Sequence, residues 1–88
     1  MTGDETVLRD QVRQLVAEYA RLRVPIAQLG DDGDLFGAGM SSHASVSVMV
    51  ALEEVFGVEF PEVMQRKSVF GSVSSIARAL LQLRSVAA

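Results

Sequence analysis

The sequence predicts an all-α fold with three main helices, one short helix and a long loop between the first two. Apolar residues recur at steps of three and four in three segments, a spacing that places them on one side of a helix. No segment shows the strict alternation of apolar and polar residues that is typical of a strand. We expect helices near residues 4–22, 42–56, 62–66 and 73–84.

The first helix is predicted over residues 4–22. Thr2 and Glu5 form a capping-box pattern, which satisfies free backbone N–H groups at a helix start. Pro25 should end the helix, because proline lacks the N–H and disfavours helical geometry in the residue before it. The expected buried stripe is Leu8, Val12, Leu15, Tyr19 and Leu22. Charged side chains expected on the solvent side are Arg9, Arg13 and Glu18.

Residues 24–41 are predicted to form a loop, since they contain a proline, four glycines and three aspartates. Loops of this length are unusual in small domains and are often functional. Four apolar side chains should pin this loop to the core: Ile26, Leu29, Leu35 and Phe36.

The second and last helices are predicted from their caps and apolar faces. The second should begin at Ser41 or Ser42, because serine is a good N-cap, and end at Gly57. Val46 and Val50 lie off its apolar face, so we expect them to be partly exposed. That face comprises Val48, Met49, Leu52, Val55 and Phe56. The corresponding positions in the last helix are Val73, Ile76, Leu80 and Leu83.

Composition excludes several classes of function. Eighty-eight residues predict one domain, residues 1–88, and the net charge of −3 argues against nucleic acid as a partner. The chain has no cysteine and a single histidine, so neither a thiolate nucleophile nor a metal site is expected. The polar, acidic first residues and the lack of a long apolar run predict a soluble cytoplasmic domain that does not enter membranes.

The acidic residues are concentrated in the middle of the sequence. Between residues 31 and 65 there are seven acids and no Lys or Arg, which predicts one acidic surface around the second helix. Such a surface is either simply solvated or a docking face for basic partners. The seven acids are Asp31, Asp32, Asp34, Glu53, Glu54, Glu59 and Glu62.

Ser41 and Ser42 are the leading candidates for chemistry. Both open a helix, where free N–H groups and the macrodipole favour a phosphate, although both could merely cap it. A Ser42–His43 nucleophilic pair is a weak hypothesis, because adjacent side chains on a helix diverge. Residues 31–43 lack the spacing of a calcium loop, and residues 37–39 lack that of a dinucleotide-binding loop.

The middle of the chain resembles the carrier-protein family of acyl, peptidyl and aminoacyl carrier domains. The resemblance runs over residues 34–43 and continues over residues 46–56. The family's usual motif is Asp-Leu, a short spacer and Gly-x-Asp-Ser-Leu at the start of the second helix. Gly39 matches the motif glycine and Ser42 matches the motif serine. Residues 51–56, Ala-Leu-Glu-Glu-Val-Phe, are similar to the family's ending of that helix.

The resemblance implies a small helical bundle, a cofactor and several partners. In the family, the motif serine is esterified with 4'-phosphopantetheine from coenzyme A, and the distal thiol holds cargo as a thioester. The resemblance therefore implies modification of Ser42, with Gly39, Ser41 and His43 beside it. It implies a monomeric carrier, not an enzyme, which meets a phosphopantetheinyl transferase, a loading ligase and a downstream transferase.

The departures from the motif bear on the cargo. Ser41 stands where the family usually has Asp, and His43 where it usually has Leu, which argues against a housekeeping fatty-acid role. Residues 60–80 look closest to small stand-alone aminoacyl carriers of bacteria. The cargo implied is thus an amino acid or a short acyl group. The recognition surface expected along the second helix is Val46, Val50, Glu53 and Glu54.

Two other interpretations remain open from the sequence. The chain could be an unmodified helical interaction domain that docks through its acidic second helix. It could also be a small hydrolase using Ser42 and His43, although no third residue that would orient the histidine is evident.

Overall fold

The computed structural model describes the backbone of residues 2–87 and the side chains of residues 5–84. Within these residues the protein is all-helical, which confirms the predicted fold class. The four α-helices are α1 (Thr2–Tyr19), α2 (Ser42–Phe56), α3 (Lys67–Phe70) and α4 (Val73–Ala87). Two 3₁₀ helices, Ile26–Gln28 and Glu62–Met64, lie in the connections.

Helix α1 packs against both α2 and α4, and its buried row differs in part from the predicted one. The row advances in steps of four: Leu8, Val12, Val16 and Ala20. Tyr19 was predicted to be buried, but it is 39% exposed, because it lies about 100° around the helix from Ala20. The helix also ends at Tyr19, three residues before the predicted end, and Arg21 then adopts a left-handed conformation with φ of 56°.

Helix α2 faces the core with a row that also advances in steps of four. Ala44, Val48 and Leu52 are buried and Phe56 is half-buried. The prediction that Val55 lies on this face was wrong, since Val55 is off the row and 57% exposed. Val46 and Val50 are 54% and 44% exposed, as predicted, and Gly57 ends the helix in the left-handed conformation with φ of 64°.

The connection between α2 and α4 is more structured than the sequence indicated. The predicted short helix over residues 62–66 is a 3₁₀ turn of three residues, and α3 follows it. A four-residue helix is too short to show an apolar period, which is why the pattern did not reveal it. Phe60, before the 3₁₀ turn, and Phe70, at the end of α3, are both buried, with ring centroids 5.2 Å apart.

The long loop between α1 and α2 is attached to the core by apolar side chains. Leu35 is almost fully buried, and Ile26, Leu29 and Phe36 are partly buried against the core, which confirms the prediction for these four residues. The loop also bonds to the start of α4. Leu35 N–H donates to the Gly71 carbonyl at 2.8 Å, and Ser74 N–H donates to the Asp31 carbonyl at 2.9 Å.

Arg13 attaches the same loop to α1, although the sequence placed this residue on the solvent side. Its guanidinium donates to Asp31 Oδ1 at 2.8 Å and to the carbonyls of Ile26 and Leu29, both at 2.7 Å. The side chain is only 22% exposed, because its guanidinium is bonded within the loop. Periodicity alone could not reveal this contact, since the partners lie 13 to 18 residues away.

We expect Arg13→Met to lower the free energy of unfolding by about 2–3 kcal/mol, because it leaves two carbonyls and a carboxylate without their charged donor. Arg9→Met is the matched control. Arg9 also approaches Asp31, but at 3.6 Å and with 42% of its side chain exposed, so its loss should cost less than about 1 kcal/mol. Urea denaturation followed by far-UV circular dichroism measures both; equal losses would contradict this account.

Candidate modification site

Ser41 and Ser42 occupy different positions at the start of α2. Ser41 is the N-cap, with φ of −81° and ψ of 167°, and its Oγ accepts a hydrogen bond from Ala44 N–H at 3.0 Å. Ser42 is the first helical residue, and its side chain is exposed. Among the residues whose side chains the structure describes, none bonds to Ser42 Oγ. The hydroxyl of Ser42 is therefore accessible, whereas that of Ser41 is used to cap the helix.

Gly39 allows the chain to pass close to another segment just before α2. Its φ of 116° lies in a region that side chains rarely adopt, and a Cβ there would lie 2.7 Å from Arg23 Cγ. Next to it, Arg23 N–H donates to the Ala38 carbonyl at 2.8 Å. Met40 follows and is 3% exposed. Together these contacts fix the backbone that leads into Ser42.

Ser42 lines a cleft of about 240 Å³ between α2 and α3, which we call the α2–α3 cleft. Its walls combine apolar and cationic side chains, including Phe36, Met49, Phe70, Arg66 and Lys67. Lys67 Nζ lies 5.4 Å from the centroid of the Phe36 ring, within the range of a cation–π contact. Sequence reasoning missed this arrangement, since the two cations lie more than 20 residues beyond Ser42 and outside its motif.

His43 opens onto a different surface. It lines a groove of about 410 Å³ between α1 and α2, which we call the α1–α2 groove, together with Tyr19, Val46, Val50 and Glu54. Because Ser42 and His43 line separate depressions, they do not form a nucleophile–base pair. The part of the chain that the structure describes also contains no cluster of three or more His, Cys, Asp or Glu residues suited to a metal ion.

The acids do not form one free surface, contrary to the expectation from their clustering in the sequence. Asp31 is paired with Arg13. Glu53 is half-buried, and its Oε2 accepts a hydrogen bond from Phe60 N–H at 2.9 Å, so it ties α2 to the following segment. Glu54 is exposed and lines the α1–α2 groove. Of the two α2 acids expected to meet partners, Glu53 has a structural contact, whereas Glu54 has no hydrogen bond or ion pair with the side chains that the structure describes.

The start of α2 suits a phosphate ester. Ser42 supplies an exposed hydroxyl, and the free N–H groups at the N-terminus of a 15-residue helix stabilise nearby negative charge. Arg66 and Lys67 on the adjoining cleft wall add two cations. The residues present therefore fit a phosphate-linked group at this position.

Comparisons with known proteins agree with this geometry. Residues 10–80 match the family described as "Phosphopantetheine attachment site". An aminoacyl carrier protein of Agrobacterium fabrum is 37% identical over 65 residues, which cover 74% of this chain and 78% of the relative.

Two solved structures resemble the whole bundle. One is of the carrier protein from Agrobacterium tumefaciens in complex with an engineered Bradyrhizobium japonicum glycine:[carrier protein] ligase and AMP. It has a TM-score of 0.80 and 33% identity, covering 83% of this chain and 97% of that one. The other is a solution structure from A. tumefaciens with a TM-score of 0.72 and 32% identity, covering 91% and 99% of the two chains.

The fold, the exposed serine at the start of α2 and these matches define a carrier protein. The chain belongs to the phosphopantetheine attachment site family. It carries a covalent 4'-phosphopantetheine and works as a carrier of acyl or aminoacyl groups. Carrier proteins of this kind are generally not catalysts. No helix in the described part of the chain combines the length and apolar character that crossing a bilayer requires.

The two serines should differ in their effect on stability. We expect Ser41→Ala to lower the free energy of unfolding by about 0.5–2 kcal/mol, because it removes the N-cap. Ser42→Ala should change it by less than about 0.5 kcal/mol, because the exposed hydroxyl has no hydrogen-bond partner among the described residues. Thermal and urea denaturation of the unmodified variants test this difference, and a larger loss for Ser42→Ala would reverse the assignment of the cap.

Proposed function

We propose that Ser42 is the residue that carries the phosphopantetheine arm and that the cargo is an amino acid. The observation that supports Ser42 is its exposed, unbonded hydroxyl at the first position of α2, next to a serine whose hydroxyl caps the helix. A transferase can reach this oxygen without disturbing the fold. Attack of Ser42 Oγ on the pyrophosphate of coenzyme A forms the phosphodiester and releases adenosine 3',5'-bisphosphate.

The arm supplies the thiol that this chain lacks. The sequence contains no cysteine, so a thioester can form only on an added group. A flexible arm on a small domain also keeps its cargo at high local concentration near a docked enzyme. An amino acid as cargo is supported by the similarity to an aminoacyl carrier protein and to a carrier protein crystallised with a glycine:[carrier protein] ligase.

Partner enzymes bind to the exposed side of α2. Val46 and Val50 offer apolar contacts and Glu54 offers a negative charge, all along the α1–α2 groove. Glu53 is assigned mainly to the fold, because Phe60 N–H occupies its carboxylate. The partners of this surface are a phosphopantetheinyl transferase, a loading ligase and a downstream transferase.

The carrier domain takes in residues 1–88, of which residues 10–80 match the family. It acts as a monomer, so that successive enzymes can dock on the same surface. It performs no catalysis itself, and it meets coenzyme A in the cytoplasm.

We expect Ser42→Ala to abolish labelling by a fluorescent coenzyme A analogue and a broad-specificity phosphopantetheinyl transferase. Ser41→Ala is the matched control, and it should still be labelled once it is shown by circular dichroism to be folded. In-gel fluorescence measures both. If Ser42→Ala is labelled and Ser41→Ala is not, the attachment site is Ser41. A wild-type protein that takes no label would favour an unmodified interaction domain.

We expect Glu54→Lys to raise the Kd for the loading ligase by about three- to tenfold, since it reverses a charge at the rim of the docking surface. The effect should shrink at high salt, because exposed charges are screened. Asp10→Lys makes the same charge change at an exposed position on α1 outside the groove and serves as the control. Isothermal titration calorimetry gives both values, and equal effects of the two substitutions would remove Glu54 from the interface.

A further inference from the structure

We propose that Arg66 and Lys67 bind the phosphodiester that joins the arm to Ser42, and that the apolar floor of the α2–α3 cleft then receives the neighbouring part of the arm. This inference rests on the proposed attachment to Ser42. It assigns a ligand to two side chains that lie outside the motif and outside the docking surface.

Both cations face the same cleft as Ser42. They line its wall together with the Ser42 side chain, and both are exposed, so they can reorient without unpacking the core. The backbone that carries them is fixed on either side. Gln65 Nε2 donates to the Phe60 carbonyl at 2.9 Å, and Phe70 is buried at the end of α3. The two cations therefore lie on a segment whose backbone is fixed, across the cleft from Ser42 Oγ.

Neither cation has a carboxylate partner within the part of the chain that the structure describes. The ion pairs found there join Arg9 and Arg13 to Asp31. In a chain with net charge −3, these two cations line the same cleft as Ser42 without a described carboxylate to neutralise them. A phosphodiester brings one negative charge to this place, where guanidinium and ammonium groups can donate charge-assisted hydrogen bonds to its oxygens.

Lys67 already has a weaker partner that the phosphate can replace. Its ammonium lies over the Phe36 ring, with a separation of 5.4 Å from the centroid. An exposed cation–π contact is weaker than a charge-assisted bond to an anion, so the phosphate should draw Lys67 off the ring. That movement uncovers Phe36 beside Met49, and the two offer an apolar floor to the geminal dimethyl group next to the phosphate.

The α2–α3 cleft is a partly open depression of about 240 Å³ beside Ser42, so the part of the arm nearest the phosphate enters it first. The cleft then sets the direction in which the arm leaves the protein.

The test uses the arm-loaded protein and NMR rather than activity. Lys67 is the one lysine in the sequence, so carbon-labelled lysine gives a single ε-CH₂ signal. We expect this signal to shift when the arm is attached and to return toward its original position at high salt. We also expect the phosphorus resonance of the phosphodiester to depend on salt in the wild type. In the double variant Arg66→Gln, Lys67→Gln this resonance should be shifted and should no longer depend on salt.

Arg78→Gln is the matched control, because Arg78 is exposed on α4 and does not line this cleft. The phosphorus resonance of the arm-loaded Arg78→Gln variant should equal that of the wild type. A Lys67 signal that is the same before and after loading, or a phosphorus resonance unchanged in the double variant, overturns the inference. Mass mapping of the arm in each sample comes first: an arm absent from Ser42 is a failure of the proposed function, whereas an arm on Ser42 without these shifts is a failure of this inference alone.

Discussion

The guanidinium of Arg13 is the contact on which the arrangement before α2 depends. It binds the carbonyls of Ile26 and Leu29 and the carboxylate of Asp31, so one side chain of α1 holds the first half of the long loop. A loop of this length would lose much conformational entropy on ordering, and polar backbone groups near the core need partners. Arg13 supplies these partners, and the loop then reaches α4 through Asp31 and Leu35.

The consequence of this attachment appears at Ser42. The held loop leads through Gly39 and Met40 into α2, where Ser41 caps the helix and leaves the next hydroxyl exposed. Capping is the role of Ser41 alone, so the esterification that we propose for Ser42 need not disturb the helix start. Ser42 adjoins a cleft lined by two cations, while Val50 and Glu54 line the separate groove that we propose as the docking surface.

The sequence was most informative where the interaction was local. The start of α2 at adjacent serines, its end at Gly57 and the exposure of Val46 and Val50 follow from caps and periodicity, and the structure has all of them. It was least informative where a side chain reaches a distant segment. Arg13 and Glu53 look like ordinary solvated charges, yet Arg13 bonds to Leu29 16 residues away and Glu53 bonds to Phe60 beyond the end of its own helix. The cations near Ser42 were missed for the same reason, since only the fold brings α3 beside α2.

The most direct test of the account is the intact mass of the wild-type protein before and after incubation with coenzyme A, magnesium and a phosphopantetheinyl transferase, followed by fragmentation to locate the adduct. We predict a gain of one phosphopantetheine, located on Ser42. An adduct on Ser41 would contradict the division of roles between the two serines. The absence of any gain in a folded protein that carried no arm beforehand would contradict the carrier function.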